Sequence, residues 1–171
     1  MQCPSLIKMR QIIIKKNIGT MLTTIPEPIL KKKARKVTDF GKNLQFLIDE
    51  MIAVMRYGQG TGIAAPQVGE SLRLIVVEHE DKLYVMGNPE ITQSSIETEV
   101  NVEGCLSIPN IGANVERSTA VTVKGQDRNG KPIKIKVKGR LARIFQHEVD
   151  HINGILIVER AIDIWQIKEE I

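Results

Sequence analysis

The sequence predicts an α+β domain in which antiparallel strands pack around a central C-terminal metal-binding helix, with an amphipathic helix towards the N-terminus. Three observations predict it. His147-Glu148-Val149-Asp150-His151 places two imidazoles one helical turn apart with a carboxylate beside the first. Leu44, Leu47, Ile48, Met51, Ile52 and Met55 recur at helical spacing. Between these segments, apolar runs of strand length are separated by Gly, Pro, Asn and Asp.

In chain order, Pro26 and Pro28 open a segment able to turn helical from Ile29 to Arg35, and the amphipathic helix then stops near Tyr57-Gly58. A glycine-punctuated loop runs from Gly58 to Gly69. Strands are expected at Leu72 to Val77, Leu83 to Met86, Ile96 to Val102, Val115 to Lys124 and Ile133 to Val137, with Asp127-Arg128-Asn129-Gly130 turning a hairpin between the last two. The final helix ends at Asn153-Gly154, residues suited to a C-cap. At about 100° per residue, Leu141, Ile144, Phe145, Glu148 and Ile152 share one stripe of it, flanked by His147 and His151. Burying a carboxylate and two ring nitrogens without partners costs several kcal/mol. A divalent cation would satisfy them at once; the bland alternative is two histidines bonded to core carbonyls.

A chain of 171 residues, 42% hydrophobic and 26% charged, suits one soluble domain. The net charge of +4 belongs to residues 1–20, where Lys8, Arg10, Lys15 and Lys16 stand without an acid, so the remainder balances 20 basic against 20 acidic residues. Nucleic-acid recognition thereby loses its electrostatic footprint, and the run Lys31, Lys32, Lys33, Arg35, Lys36 reads as a solvated face. Cys3 and Cys105 make no disulfide framework, which points to a reducing compartment. Ile12-Ile13-Ile14 is too short to span a membrane. Residues 1–20 are read as a basic extension, disordered or a start-site artefact with Met9 or Met21 as other beginnings, and organellar import as a further alternative. Residues 21–171 form the catalytic domain in this reading.

Gly60-Thr61-Gly62-Ile63-Ala64-Ala65 matches a dinucleotide-binding fingerprint by letter, but a helix precedes it and Pro66 with Gly69 leaves no helix to follow. What remains is a loop whose glycines allow close backbone approach to a ligand, with Gln67 offering both donor and acceptor. Glu103-Gly104-Cys105-Leu106-Ser107-Ile108-Pro109 contains a lone cysteine, more often a small buried hydrophobe than a ligand. The helix changes that weighting. An open catalytic site needs three protein ligands, the pentad supplies two, and the downstream position for a third histidine holds Ile157. Cys105 is the best remaining candidate.

Together and in this order, the loop Gly60 to Gln67, the segment Glu103-Gly104-Cys105-Leu106-Ser107 and the helix Gln146-His147-Glu148-Val149-Asp150-His151 closely resemble peptide deformylase. The likeness runs from about Met21 to about Trp165, with spacing like the compact type 1 group. It implies hydrolysis of the N-formyl group from the initiator methionine of newly synthesised polypeptides, releasing formate in the cytoplasm. It also implies one divalent metal on Cys105, His147 and His151, Fe²⁺ in the cell, although thiolate and imidazole equally suit Zn²⁺, Co²⁺ or Ni²⁺. Glu148 would carry the proton, and the Gln67 amide and Leu106 N–H would stabilise the formyl oxygen. The methionine slot would lie between Gly60, Gly62 and Ile63 on one side and Ile144 on the other, with Glu103 paired to Arg117 beneath. Partners would be N-formylmethionyl nascent peptides, with transient ribosome contact, no nucleic-acid recognition and no membrane. Two other classes share features: an HExxH metallopeptidase, and a metal-stabilised binding module, which would need a fourth protein ligand.

Overall fold

In the computed structural model residues 21–167 are described, and they build two antiparallel sheets that both pack on one helix. The elements are α1 (Lys42–Tyr57), β1 (Gly62–Ala64), β2 (Leu74–His79), β3 (Lys82–Ser94), β4 (Thr98–Cys105), β5 (Ile108–Ser118), β6 (Ala120–Gln126), β7 (Pro132–Lys138), α2 (Gly139–Ile152), α3 (Ile157–Arg160) and β8 (Ala161–Gln166). One sheet has the order β1-β2-β3-β6-β7 and the other β4-β5-β8.

Side-chain alternation along β2 explains the layering. Leu74 and Val76 face α1, packing with Ile48, Met51 and Met55, whereas Ile75 and Val77 face α2, packing with Phe145, Val149 and Ile152. Buried on both faces, β2 reads as an unbroken apolar run rather than an alternating one. A third apolar cluster joins Leu30, Leu156 and Ile157 to Ile108, Ala113 and Val115 of the smaller sheet. The expected hairpin is present: β6 pairs with β7, Val123 opposite Ile135, and Gly130 turns the chain at φ 81° while Asp127 Oδ1 accepts from Asn129 N–H and Lys131 N–H. Helix α2 stops where expected, and Gly154 (φ 76°) passes so close to Lys31 that a Cβ would lie 2.7 Å from its backbone carbonyl.

Several expectations are corrected. The strand expected across Val115 to Lys124 divides at Thr119, β5 and β6 belonging to different sheets. Gln146 of α2 marks that crossing: its amide accepts from Ser118 N–H at 3.1 Å and donates to Ser118 C=O at 2.9 Å, occupying the backbone groups that a continuous ladder would use. From Ile29 to Arg35 the expected helix shrinks to a 3₁₀ turn over Pro28–Lys31, because Ala34 N–H donates to Ile152 C=O at 2.9 Å and Arg35 bridges to Leu72. The loop of Gly58 to Gly69 contains β1 and a 3₁₀ turn over Ala65–Val68. The first half of β5, the extension of β3 to Ser94 and all of β8 lie outside the expected strands. The reading of residues 1–20 as an appendage lies outside the described residues.

Phe145 is fully buried and meets Tyr84 edge to face, centroids 5.6 Å apart at 80°. Phe145→Ala should lower the unfolding free energy by about 3–5 kcal/mol, read from the denaturant midpoint of metal-free protein. A loss below about 1 kcal/mol would mean the helix is not the centre of the core.

Candidate active site

Four segments converge on one cleft of about 420 Å³. Helix α2 presents Ile144, His147 and Glu148; the end of β4 presents Cys105, with Leu106 in the turn that follows; β1 contributes Gly62, and the 3₁₀ turn behind it Gln67. His151 lies beneath, one turn along α2 and buried. Its Nε2 is 3.1 Å from His147 Nε2 and 3.3 Å from Cys105 Sγ, and the three potential ligand atoms all lie within 4.8 Å of one another. A tetrahedral ion with bonds of about 2.0–2.3 Å to nitrogen and sulfur has ligand-to-ligand edges of roughly 3.3–3.6 Å. The group fits such an ion, and its soft and borderline donors are the types that bind one.

The orientation of the first ring is set from behind. His147 Nδ1 lies 2.9 Å from Glu103 Oε2, so Nδ1 carries the proton and Nε2 presents its lone pair to the cleft. Glu103 is itself held by both arms of Arg117 at 3.0 Å each and by Arg143 Nη1 at 2.9 Å. Arg117 continues through a short hydrogen bond to Asp150, which Arg160 grips from the other side. Burial alone would raise the Glu103 pKa, but its hydrogen bonds from His147 and Arg117 and the arginine charge hold it down at about 2. At His147 burial opposes the charged form, yet Cys105 and Glu103 override it and raise the pKa; burial and the neighbouring His147 and Arg117 charges push His151 down.

Glu148 is the other buried carboxylate, and burial pushes its pKa up to about 7, Glu103 adding to the rise while His147 and Arg117 oppose it. Among the described residues, Glu148 Oε2 and His151 Nδ1 are the buried side-chain polar atoms without a hydrogen-bond partner. Gly62 makes room for Glu148: a Cβ there would stand 2.3 Å from Oε1. Gly58 and Gly60 do the same for Leu106, whose methyls would lie 2.8 and 2.9 Å from the added carbons. Gln67 Oε1 accepts from Ala64 N–H at 2.8 Å, which fixes the amide and turns Nε2 towards Ser107 Oγ at 3.2 Å and Cys105 Sγ at 3.8 Å.

Of the residues singled out in the sequence, Gly60, Gly62, Gln67, Cys105, Leu106, Ile144, His147 and Glu148 line the cleft. Ile63 does not line it. The period of two in β1 puts its side chain on the opposite face from Gly62, fully buried against the α1 cluster. Sequence reading missed Arg143, Arg160 and the role of Asp150, because ion pairs between residues 10, 33 and 40 positions apart leave no periodic trace.

The sequence model of the polypeptide deformylase family matches residues 20–166. A peptide deformylase of Dictyoglomus thermophilum is 48% identical over 139 residues, 81% of this chain and 90% of the relative. The crystal structure of peptide deformylase from Thermotoga maritima superposes with a TM-score of 0.81 at 42% identity, covering 83% of this chain and 97% of that one. The Met-Ala-Ser-bound crystal structure of a class I type b peptide deformylase from Acinetobacter baumannii superposes with a TM-score of 0.77 at 41% identity, over 81% and 96% of the two chains.

The depressed pKa of Glu103 carries a stability signature. Its contribution is fully present above the ordinary value of 4.5 and is lost as pH falls from there towards about 2. Glu103→Gln should therefore destabilise metal-free protein by on the order of 3 kcal/mol near neutrality, with the difference from wild type shrinking below about pH 4.5. Parallel denaturation curves from pH 7 to the acid limit test this; a gap independent of pH would count against the buried carboxylate as its source.

Proposed function

The chain belongs to the polypeptide deformylase family, and from that premise we propose how its own residues carry out metal-dependent deformylation of N-formylmethionyl peptides. The observation that carries the reading is the convergence of Cys105, His147 and His151 beside a buried Glu148 whose Oε2 has no hydrogen-bond partner. Cys105, His147 and His151 would hold a divalent cation, which would supply Lewis acidity and make water acidic enough to act as a nucleophile near neutrality.

The remaining work falls to the protein. Glu148, close to neutrality in its pKa, takes a proton from the attacking water and returns it to the departing amine, a shuttle typically worth about 10²–10⁴ in rate. As the formyl carbon becomes tetrahedral, the Gln67 amide and the Leu106 backbone N–H donate to its oxygen, each worth on the order of 10²–10³. Gln67 is preorganised for this by its bond to Ala64. The methionine side chain lies against Ile144, with Gly60 and Gly62 allowing the chain opposite to approach; Ile63 supports that wall from the core side. Fe²⁺ is the ion we assign in the cell, Zn²⁺, Co²⁺ and Ni²⁺ being compatible with the same ligands. The substrate class makes nascent chains at the ribosome the partner and the bacterial-type cytoplasm the setting. No helix among the described residues is long and apolar enough to cross a membrane. The ligand cluster among the described residues has three members, which would leave a bound ion one position for chemistry.

Release of formate from formyl-Met-Ala-Ser by anaerobically purified protein, with no cleavage of the unblocked peptide, tests the activity directly. Cys105→Ala should strip the ion, and full occupancy by elemental analysis would refute the ligand assignment. Glu148→Ala should retain the ion yet lose at least about 10² in kcat; near-normal turnover would remove Glu148 from the proton path. Deleting residues 1–20 should leave kcat/KM and melting temperature close to those of the full chain, since the site lies between Gly60 and His151.

A further inference from the structure

We propose that Arg140 is a specificity residue that favours formylmethionyl peptides bearing an acidic side chain at the second or third residue. The inference rests on the deformylase reading of the site. Five ionisable side chains besides Cys105 line the cleft: Glu103, Arg140, Arg143, His147 and Glu148. Arg143 and His147 are both bonded to Glu103, and Glu148 is buried in the floor. Arg140 is exposed and forms no ion pair among the described residues, so it is the uncompensated fixed charge at the mouth.

Its position on the helix argues against a purely structural task. Arg140 stands in the first turn of α2, a turn with no acidic residue. A cation there faces the positive end of the helix dipole, whereas stability would favour an acid. The charge and the dipole therefore add, and both attract an anion. Arg140, Ile144 and Glu148 succeed one another at intervals of four along α2. Eight residues of helix rise about 12 Å, and an extended peptide advances about 3.3 Å per residue. With the formyl group at Glu148 and methionine against Ile144, the side chains of the next two residues come within reach of a long arginine. A lysine in those places would be repelled.

Exposed ion pairs are worth about 0.2–1 kcal/mol, so the discrimination between acidic and basic peptides should be roughly two- to tenfold once attraction and repulsion are both counted. The test compares formyl-Met-Ala-Glu and formyl-Met-Glu-Ser with formyl-Met-Ala-Lys and formyl-Met-Lys-Ser by kcat/KM, and the corresponding unformylated peptides by calorimetric Kd. Ratios taken within one preparation cancel any difference in folded fraction. Wild type should prefer acidic peptides, Arg140→Gln should lose the preference, Arg140→Glu should reverse it, and about 1 M salt should erase it, the Debye length then being about 3 Å. Equal ratios in wild type, or a preference that survives Arg140→Glu, would overturn the proposal. Failure of the deformylase reading is separate: no formylated peptide would be turned over, while the Kd ratios would still report on Arg140.

Discussion

The site depends on one buried carboxylate. Glu103 accepts from Arg117, Arg143 and His147, so a single side chain ties β4 to β5 and to two successive turns of α2. Cys105 lies two residues further along β4, where the pairing with β5 slips in register and the chain turns back through Leu106 and Ser107. The same carboxylate thus orients one metal ligand and fixes the strand that delivers another. Through Arg117 it reaches Asp150, the residue before His151. A buried network of this kind contributes little net stability over an apolar replacement, but removing one member leaves a charge without a partner. Its value lies in geometry, because three ligand atoms from a strand and a helix must meet to within fractions of an ångström.

Space is the second constraint. Glu148 has to be dry to hold its pKa near neutrality, which requires backbone packed directly over it. β1 supplies that backbone, and only a residue without a Cβ lets it come near enough, since the added carbon at Gly62 would overlap Glu148 Oε1. One strand residue further, Ile63 anchors the wall in the opposite core, and Ala64 N–H locks Gln67. Three consecutive residues therefore close the site, brace it and aim its amide.

Much of this was legible in the sequence, in proportion to how local the cause is. Helices α1 and α2 announced themselves by period and by their glycine stops, and the β6–β7 hairpin by Asp127 to Gly130, because each signal lies within a few residues of what it specifies. The ligands were legible for a chemical reason: the pentad is the only close pair of histidines, and an open site needs one more donor. Long-range causes stayed hidden. Nothing near Thr119 says that Gln146, 28 residues away from Ser118, will divide the strand there. β1 is too short to show an alternation, so the sequence gives no sign that the pleat sends Ile63 away from the cleft that Gly60 and Gly62 line. β8 is exposed along nearly its whole length and lacks the apolar alternation by which strands are read.

Metal binding and folding draw on the same residues here. Burial disfavours the charged form of both histidines, yet Cys105 and Glu103 raise the pKa of His147, whereas burial and the His147 and Arg117 charges lower that of His151. A bound cation would need an unprotonated ring nitrogen, so proton and metal would compete there, and acid favours the proton. Behind the ring stands the Glu103 carboxylate. It accepts from His147 Nδ1–H at 2.9 Å, which leaves Nε2 as the ring nitrogen turned towards the cleft. The strongest charges of the site are paired with one another: Arg117 and Asp150 stand behind the ligands, and Glu103, which reaches the cleft wall, is already compensated by Arg117 and Arg143.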